Sequence, residues 1–170
     1  NGRHLRLMDD EQFAETLLGY LERRGRLAEY GDGAEATVRE TVPAVKRKLS
    51  RLSEYDDLAG WLFRPLAVDE AAWEIVTKDV KHSIQVIGGG LGRLEALEDF
   101  TNEAVKDALQ DQLHIMGEAA RDFLEPQRIA VTGQAISIGI YESITLLGRD
   151  ETIRRYREML GRLAELWTAA

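Results

Sequence analysis

The chain has three histidines, His4, His82 and His114, and no two stand at the i, i+4 spacing that aims two imidazoles at one metal from a helix. It has no cysteine, which removes thiolate metal sites, iron–sulfur clusters, disulfides and thiol nucleophiles together. Carboxylates pair at Asp9-Asp10, Asp56-Asp57 and Glu98-Asp99, but neighbours in a helix point in different directions and do not share one acid–base site. Ser143 lies in Glu-Ser-Ile-Thr, without the flanking glycines of a nucleophile elbow. In the cluster Gly88-Gly89-Gly90-Leu91-Gly92, Arg93 stands where a dinucleotide fingerprint would need glycine, and no strand precedes it. No Gly-Lys-Ser/Thr phosphate loop occurs. The residues therefore assign no catalytic group, no metal ligand and no cofactor to this chain.

Charge is the remaining chemistry. With 22 basic and 30 acidic side chains the net charge is −8, so binding to a polyanion must rest on local patches. Between Thr41 and Ser53 the chain carries Lys46, Arg47, Lys48 and Arg51 and no acid, a window of +4. If helical, that window puts Arg47, Lys48 and Arg51 on one face. Arg149, Arg154, Arg155, Arg157 and Arg162 outweigh Asp150, Glu151 and Glu158, giving +2, and read as dipole compensation and solvation.

The elements that must position these groups are helical by apolar spacing. Asp9 or Asp10 caps a helix with Phe13, Leu17, Leu18 and Leu21 inward. Glycines between 25 and 33 break it, and a second helix spans about 34–52, with a kink or break near Thr41 from Pro43. Ser53 caps a short helix bearing Leu58, Trp61 and Leu62. Val76, Val80, Ile84, Ile87, Leu91, Leu94 and Leu97 make one long stripe, weakened in its middle by Gly88–Gly90. Thr101 caps a helix with Val105, Leu109, Leu113 and Met116 inward, and a further helix runs from Ala119 to Pro126. Arg128-Ile129-Ala130-Val131-Thr132 reads as strand-like. Ser137 caps a helix that stops at Gly148, and Asp150 caps the last one.

The expected fold is all-α: two packed helical subdomains, 1–75 and 76–170, with at most one short extended segment near 128–132. At 44% apolar and 31% charged residues the composition is that of an ordinary globular protein. No run approaches 18 apolar residues and no secretory leader is visible, so a cytoplasmic chain is expected. The start at Asn1 suggests a piece cut from something longer.

Four ordered stretches carry a family resemblance: Asn1-Gly2-Arg3-His4-Leu5-Arg6; Val42-Pro43-Ala44-Val45 with Leu49-Ser50-Arg51-Leu52-Ser53-Glu54; Arg93 to Thr101; and Arg128-Ile129-Ala130-Val131-Thr132-Gly133 followed by Ser137 and Gly139-Ile140-Tyr141-Glu142. Together they resemble the C-terminal anticodon-binding region of bacterial glutamyl-tRNA synthetases. The resemblance implies that Arg128 contacts anticodon nucleotides. It also implies that Ser137, Ile138, Ile140 and Tyr141, matching a Ser/Thr-Pro-x-Leu-Phe/Tyr-Glu motif, hold splayed bases. Ile138 replaces the family's proline, which gains a backbone N–H and loses a fixed φ. An arginine that reads the third anticodon base corresponds to Lys48, with Arg47 beside it and Arg51 in the same cluster. The implied partner is the anticodon loop of glutamate tRNA, with glutamine tRNA as the alternative, and neither DNA nor membrane. A monomer is expected. ATP and Mg belong to the catalytic portion of such synthetases, whose His-Ile-Gly-His and Lys-Met-Ser-Lys-Ser signatures do not occur here. A non-catalytic helical protein–protein scaffold is the rival expectation.

Overall fold

The computed structural model describes residues 2–170, and these are all-α, with no strand among the described residues. Two compact units divide at Pro65; the second covers Leu66–Ala170. Residues 66–75, expected with the first part of the chain, are placed with the second unit, where Leu66, Ala72 and Val76 are buried.

The first unit contains α1 (Gly2–Leu7), α2 (Asp10–Arg23), α3 (Arg26–Tyr30), α4 (Ala34–Val45) and α5 (Tyr55–Ala59), with 3-10 turns at Leu52–Glu54 and Gly60–Phe63. Asp9 starts α2 by accepting from the Gln12 N–H at 2.8 Å, and Asp10 and Glu11 in its first turn complement the helix dipole. Phe13, Leu17 and Leu21 are buried from α2, and Val38, Val42 and Val45 from the α4 it packs on. Each such side chain contributes about 1.5–3 kcal/mol. Tyr55 is fully buried and its hydroxyl lies 3.1 Å from that of Thr41, so burial pushes its pKa up.

α4 runs through Pro43 to Val45, so the break that could have fallen near Thr41 does not occur. Pro43 is exposed, and the helix ends within one turn of it at Val45.

The second unit contains α6 (Glu70–Thr77), α7 (Val80–Glu95), α8 (Asn102–Met116), α9 (Ala120–Thr132), α10 (Ile140–Leu147) and α11 (Arg149–Ala169). The Thr101 side chain caps α8 as expected, accepting from Ala104 N–H at 3.2 Å. α7 runs unbroken through Gly88–Gly90. A methyl on Gly90 would collide with the Gln127 side chain, and one on Gly89 with Gln112. The glycines weaken the helix but let α9 and α8 approach it closely.

The strand-like expectation for 128–132 is corrected: these residues are the C-terminal turns of α9, which passes through Pro126. Ile129, Ala130, Val131 and Thr132 are all buried because α9 packs against α6, α7, α10 and α11. A helix covered on several sides is apolar most of the way round, so its sequence loses the 3.6 period and its β-branched residues look like a strand.

Candidate nucleic-acid interface

In the first unit the basic window is not one helical face. α4 stops at Val45; Lys46 to Lys48 form a turn, with the Val45 carbonyl accepting from Lys48 N–H and Leu49 N–H, each at 2.9 Å. Arg51 is extended, at φ −139° and ψ 146°. Lys46 is withdrawn by Asp10, 2.9 Å away. Arg47, Lys48 and Arg51 remain exposed, and Arg47 has no ion-pair partner among the described residues. The segment that carries them is fixed at both ends. Val45 and Leu49 are fully buried on either side of Arg47 and Lys48. The Glu54 carboxylate accepts from Ser50 N–H at 2.8 Å and Arg51 N–H at 3.2 Å, which lowers its pKa. The backbone that carries Arg47 and Lys48 on the turn, and Arg51 just after it, is held in place before any partner arrives.

In the second unit the centre is the junction of α9 and α10. Arg128 is half-buried; its Nε is enclosed without a hydrogen-bond partner and it forms no ion pair among the described residues. One helical turn on, the Thr132 hydroxyl lies 2.9 Å from the Arg128 carbonyl and 3.1 Å from both the carbonyl and the N–H of Gln134, closing the start of the loop. Gly133 ends α9 at φ 73°, in the left-handed region that favours glycine, and a methyl there would run into the Ala67 carbonyl. Its own carbonyl accepts from Asp69 N–H at 2.9 Å.

Ser137 does not cap α10. Gly139 holds the cap position, and the Ser137 hydroxyl, 2% exposed, donates to the Ile138 carbonyl at 2.9 Å. Ile138 is fully buried, Ile140 nearly so and Tyr141 half-buried. Of the four residues assigned to this motif, Tyr141 therefore offers the largest accessible side chain. Glu142 folds its carboxylate back over Gly139, where any Cβ would strike it, and so places a negative charge at the first turn of α10.

The other basic cluster is consumed internally. Arg149 donates to the carbonyls of Leu97 at 2.6 Å and Glu98 at 2.9 Å, and covers the Phe100 ring. Arg154 pairs with Glu151 and Glu158, Arg157 with Glu95, and Arg162 with Glu158. Arg155, 2% exposed, donates from Nε to Glu151 at 2.9 Å and from Nη1 to the Val131 carbonyl at 2.8 Å. Sequence reasoning treated Arg155 as solvated. Its i, i+4 spacing from Glu151 was the available signal, but its burial against the last turn of α9 was not visible. Hydrogen bonds from Arg154, then Arg155, pull the Glu151 pKa down to about 2 against the cost of its partial burial.

Among the described residues, no group of three or more His, Asp or Glu could hold a metal, and no helix is long and apolar enough to cross a membrane. The sequence-expected residues fall into two sets: Arg47, Lys48 and Arg51 in the first unit, and Arg128, Ser137, Ile138, Ile140 and Tyr141 in the second.

The chain is 33% identical over 166 residues to a glutamate–tRNA ligase of Nocardioides sp., covering 95% of this chain and 33% of that protein. A glutamate–tRNA ligase of Saccharopolyspora erythraea is 36% identical over 166 residues, with 95% and 32% covered. The chain thus spans about a third of the length of these relatives. A crystal structure of a glutamate tRNA ligase from Elizabethkingia meningosepticum, in complex with its amino acid, shares the fold at a TM-score of 0.76 and 18% identity, over 96% of this chain and 31% of that one. The model of the anticodon binding domain matches residues 12–160, which take in the first basic segment, most of the second and the whole α9–α10 junction. With that match across most of its length, the chain belongs to the anticodon-binding domain family.

Proposed function

We propose that this chain recognises the anticodon loop of glutamate tRNA, as the anticodon-binding portion of a cytoplasmic glutamate–tRNA ligase. The observation that carries the reading is Arg128. Arg149, Arg154, Arg155, Arg157 and Arg162 are all engaged by acids or carbonyls, whereas Arg128, beside the tethered loop, forms no ion pair among the described residues and its Nε has no hydrogen-bond partner. Sequence-specific readers of RNA take unstacked loop bases by stacking and by hydrogen bonds to base edges. Arg128 supplies the donors, and Tyr141 supplies a ring that could contribute about 1–3 kcal/mol to one base. Arg47, Lys48 and Arg51 form the second contact, with Lys48 or Arg47 monitoring the third anticodon base. Lysine gives a point charge where arginine would give a fork, so the choice between glutamate and glutamine tRNAs depends on how these two share the task. The protein acts as a monomer. The ATP- and Mg-dependent attachment of glutamate would be carried out by the remainder of such a ligase.

The rival, a protein-binding scaffold, draws support from the net charge of −7 on residues 66–170, with 11 basic and 18 acidic side chains. A titration of fluorescent glutamate-tRNA anticodon stem-loop, with a scrambled loop and Arg128→Ala beside it, decides between them. Loop-specific binding that steepens at low salt and falls at least tenfold in the variant is the expected result. Equal binding of both loops would overturn it.

A further inference from the structure

Most of the large apolar side chains left exposed have a simple setting. Leu7 ends α1, Ile115 sits in the last turn of α8, and Leu166 and Trp167 lie near the end of α11. Ile136 differs. It is 76% exposed in the middle of the loop between α9 and α10, and the residues around it are held. On one side Thr132 closes the turn to Gln134, and Gly133 is locked against Ala67 and Asp69. On the other side Ser137, Ile138 and Ile140 are buried. The loop thus turns Ser137 and Ile138 inward, as does Ile140 at the start of α10, and presents one β-branched side chain to water on a held backbone.

Exposure of this kind gives the fold nothing, since Ile136 buries little surface of its own. It does give a binding surface something: an apolar contact that needs no ordering when a partner arrives. The neighbouring chemistry indicates which partner. Arg128, in the turn that leads into the loop, forms no ion pair among the described residues and its Nε has no hydrogen-bond partner, and the half-buried Tyr141 follows five residues after Ile136. One apolar contact, one ring and one fork of donors match an unstacked nucleobase, which has a flat apolar face and acceptor atoms on its edge.

We infer that Ile136 packs on the face of one base of the bound anticodon loop and is a specificity-determining residue for that base. The inference rests on the RNA reading proposed above. It shifts the apolar contact from Ile138, which the fold encloses, to the residue the loop exposes.

The test is a titration of the whole chain with the glutamate-tRNA anticodon stem-loop, using wild type, Ile136→Ala and Ile136→Asp. Because the side chain is solvated, both variants should melt with the wild type. We expect Ile136→Ala to weaken loop-specific binding about three- to tenfold and Ile136→Asp to weaken it further. The slope of affinity against salt should be unchanged for Ile136→Ala, because no phosphate contact is removed. Stem-loops made abasic at each loop position in turn identify the base: at one position alone, wild type and Ile136→Ala should bind equally. Wild-type discrimination between loops with Ile136→Ala binding within twofold would overturn the inference and leave the RNA reading standing. So would a loss in Ile136→Ala that persists at every abasic position. Failure of the wild type to prefer the loop would overturn both, and capture of a peptide through Ile136 in place of RNA would assign the residue to the scaffold reading.

Discussion

The two units carry equal numbers of basic side chains and use them in opposite ways. Residues 1–65 hold 11 basic and 12 acidic groups, for −1; residues 66–170 hold 11 and 18, for −7. In the first unit the acids take up Arg26, Arg39, Lys46 and Arg64, while Arg47 on its turn has no ion pair among the described residues. In the second, the surplus acid and the helix-end carbonyls absorb the whole basic run of α11, while Arg128, like Lys78, Lys81 and Lys106, forms no ion pair among the described residues. Net charge ranks the 41–53 window higher, but counting arginines alone would rank α11, with five, above that window, with two. On the reading proposed above, the availability of a cation, and not its presence, separates a binding surface from a brace.

The sharpest way to break that contrast is to remove one arginine from each side of it. Arg155→Ala takes away a buried guanidinium that holds the last turn of α9, leaving the Val131 carbonyl without its donor. A loss of about 3 kcal/mol is expected. Arg47→Ala removes an exposed cation from the pinned turn and should leave stability within about 0.5 kcal/mol. Urea unfolding measures both. Comparable losses in the two variants would dissolve the distinction between brace and surface.

A smaller effect tests how α9 is held in the second unit. Gln127 is fully buried, donates from Nε2 to the Val86 carbonyl at 2.5 Å and fills the notch above Gly90. Gly90→Ala should destabilise by about 1–3 kcal/mol, because the methyl has to displace that side chain. Gly88→Ala meets open space two residues earlier and should stabilise by about 0.5–1 kcal/mol. Thermal unfolding of the pair reads the sign directly. If both substitutions stabilise, the notch does not hold α9.

What could be read in advance follows the same line. α2 announced itself, because its period, Asp9 and its acidic first turn are local and agree. The Thr101 cap and the Gly148 stop were legible for the same reason. α9 was not, because burial on several sides erased its period. Ser137 was assigned to a cap it does not occupy, since Gly139 offers a local alternative that sequence spacing did not favour. In the candidate site, the motif positions were legible through resemblance alone. Which of them face solvent was settled by packing: Ser137 and Ile138 went inward, and Ile136, passed over in the sequence, went outward. Arg155 looked like any surface arginine until a second helix end was placed beside it.

The smallest expected effect concerns acid. Glu151 in the second unit titrates at about 2 in the fold against an ordinary 4.5, its carboxylate held by Arg154 and then Arg155. In the first unit Asp56 is also lowered: its burial acts upward, and the hydrogen bonds from Arg64 and Tyr30 outweigh it. A depressed carboxylate binds protons more readily once unfolded. Its contribution is therefore complete above about pH 4.5 and is lost as the pH falls toward 2. Glu151 is 35% exposed, so solvent screens the pair and the contribution should stay below about 1 kcal/mol. Glu151→Gln should flatten the acid limb of the second unit, and Asp56→Asn that of the first. Trp61, buried in the first unit, reports that unit separately once Trp73 and Trp167 are changed to Phe. An acid limb that Glu151→Gln leaves untouched, followed through Trp73 and Trp167, would show that Arg155 braces α9 through the Val131 carbonyl alone and that the α11 ion pairs contribute little to the fold.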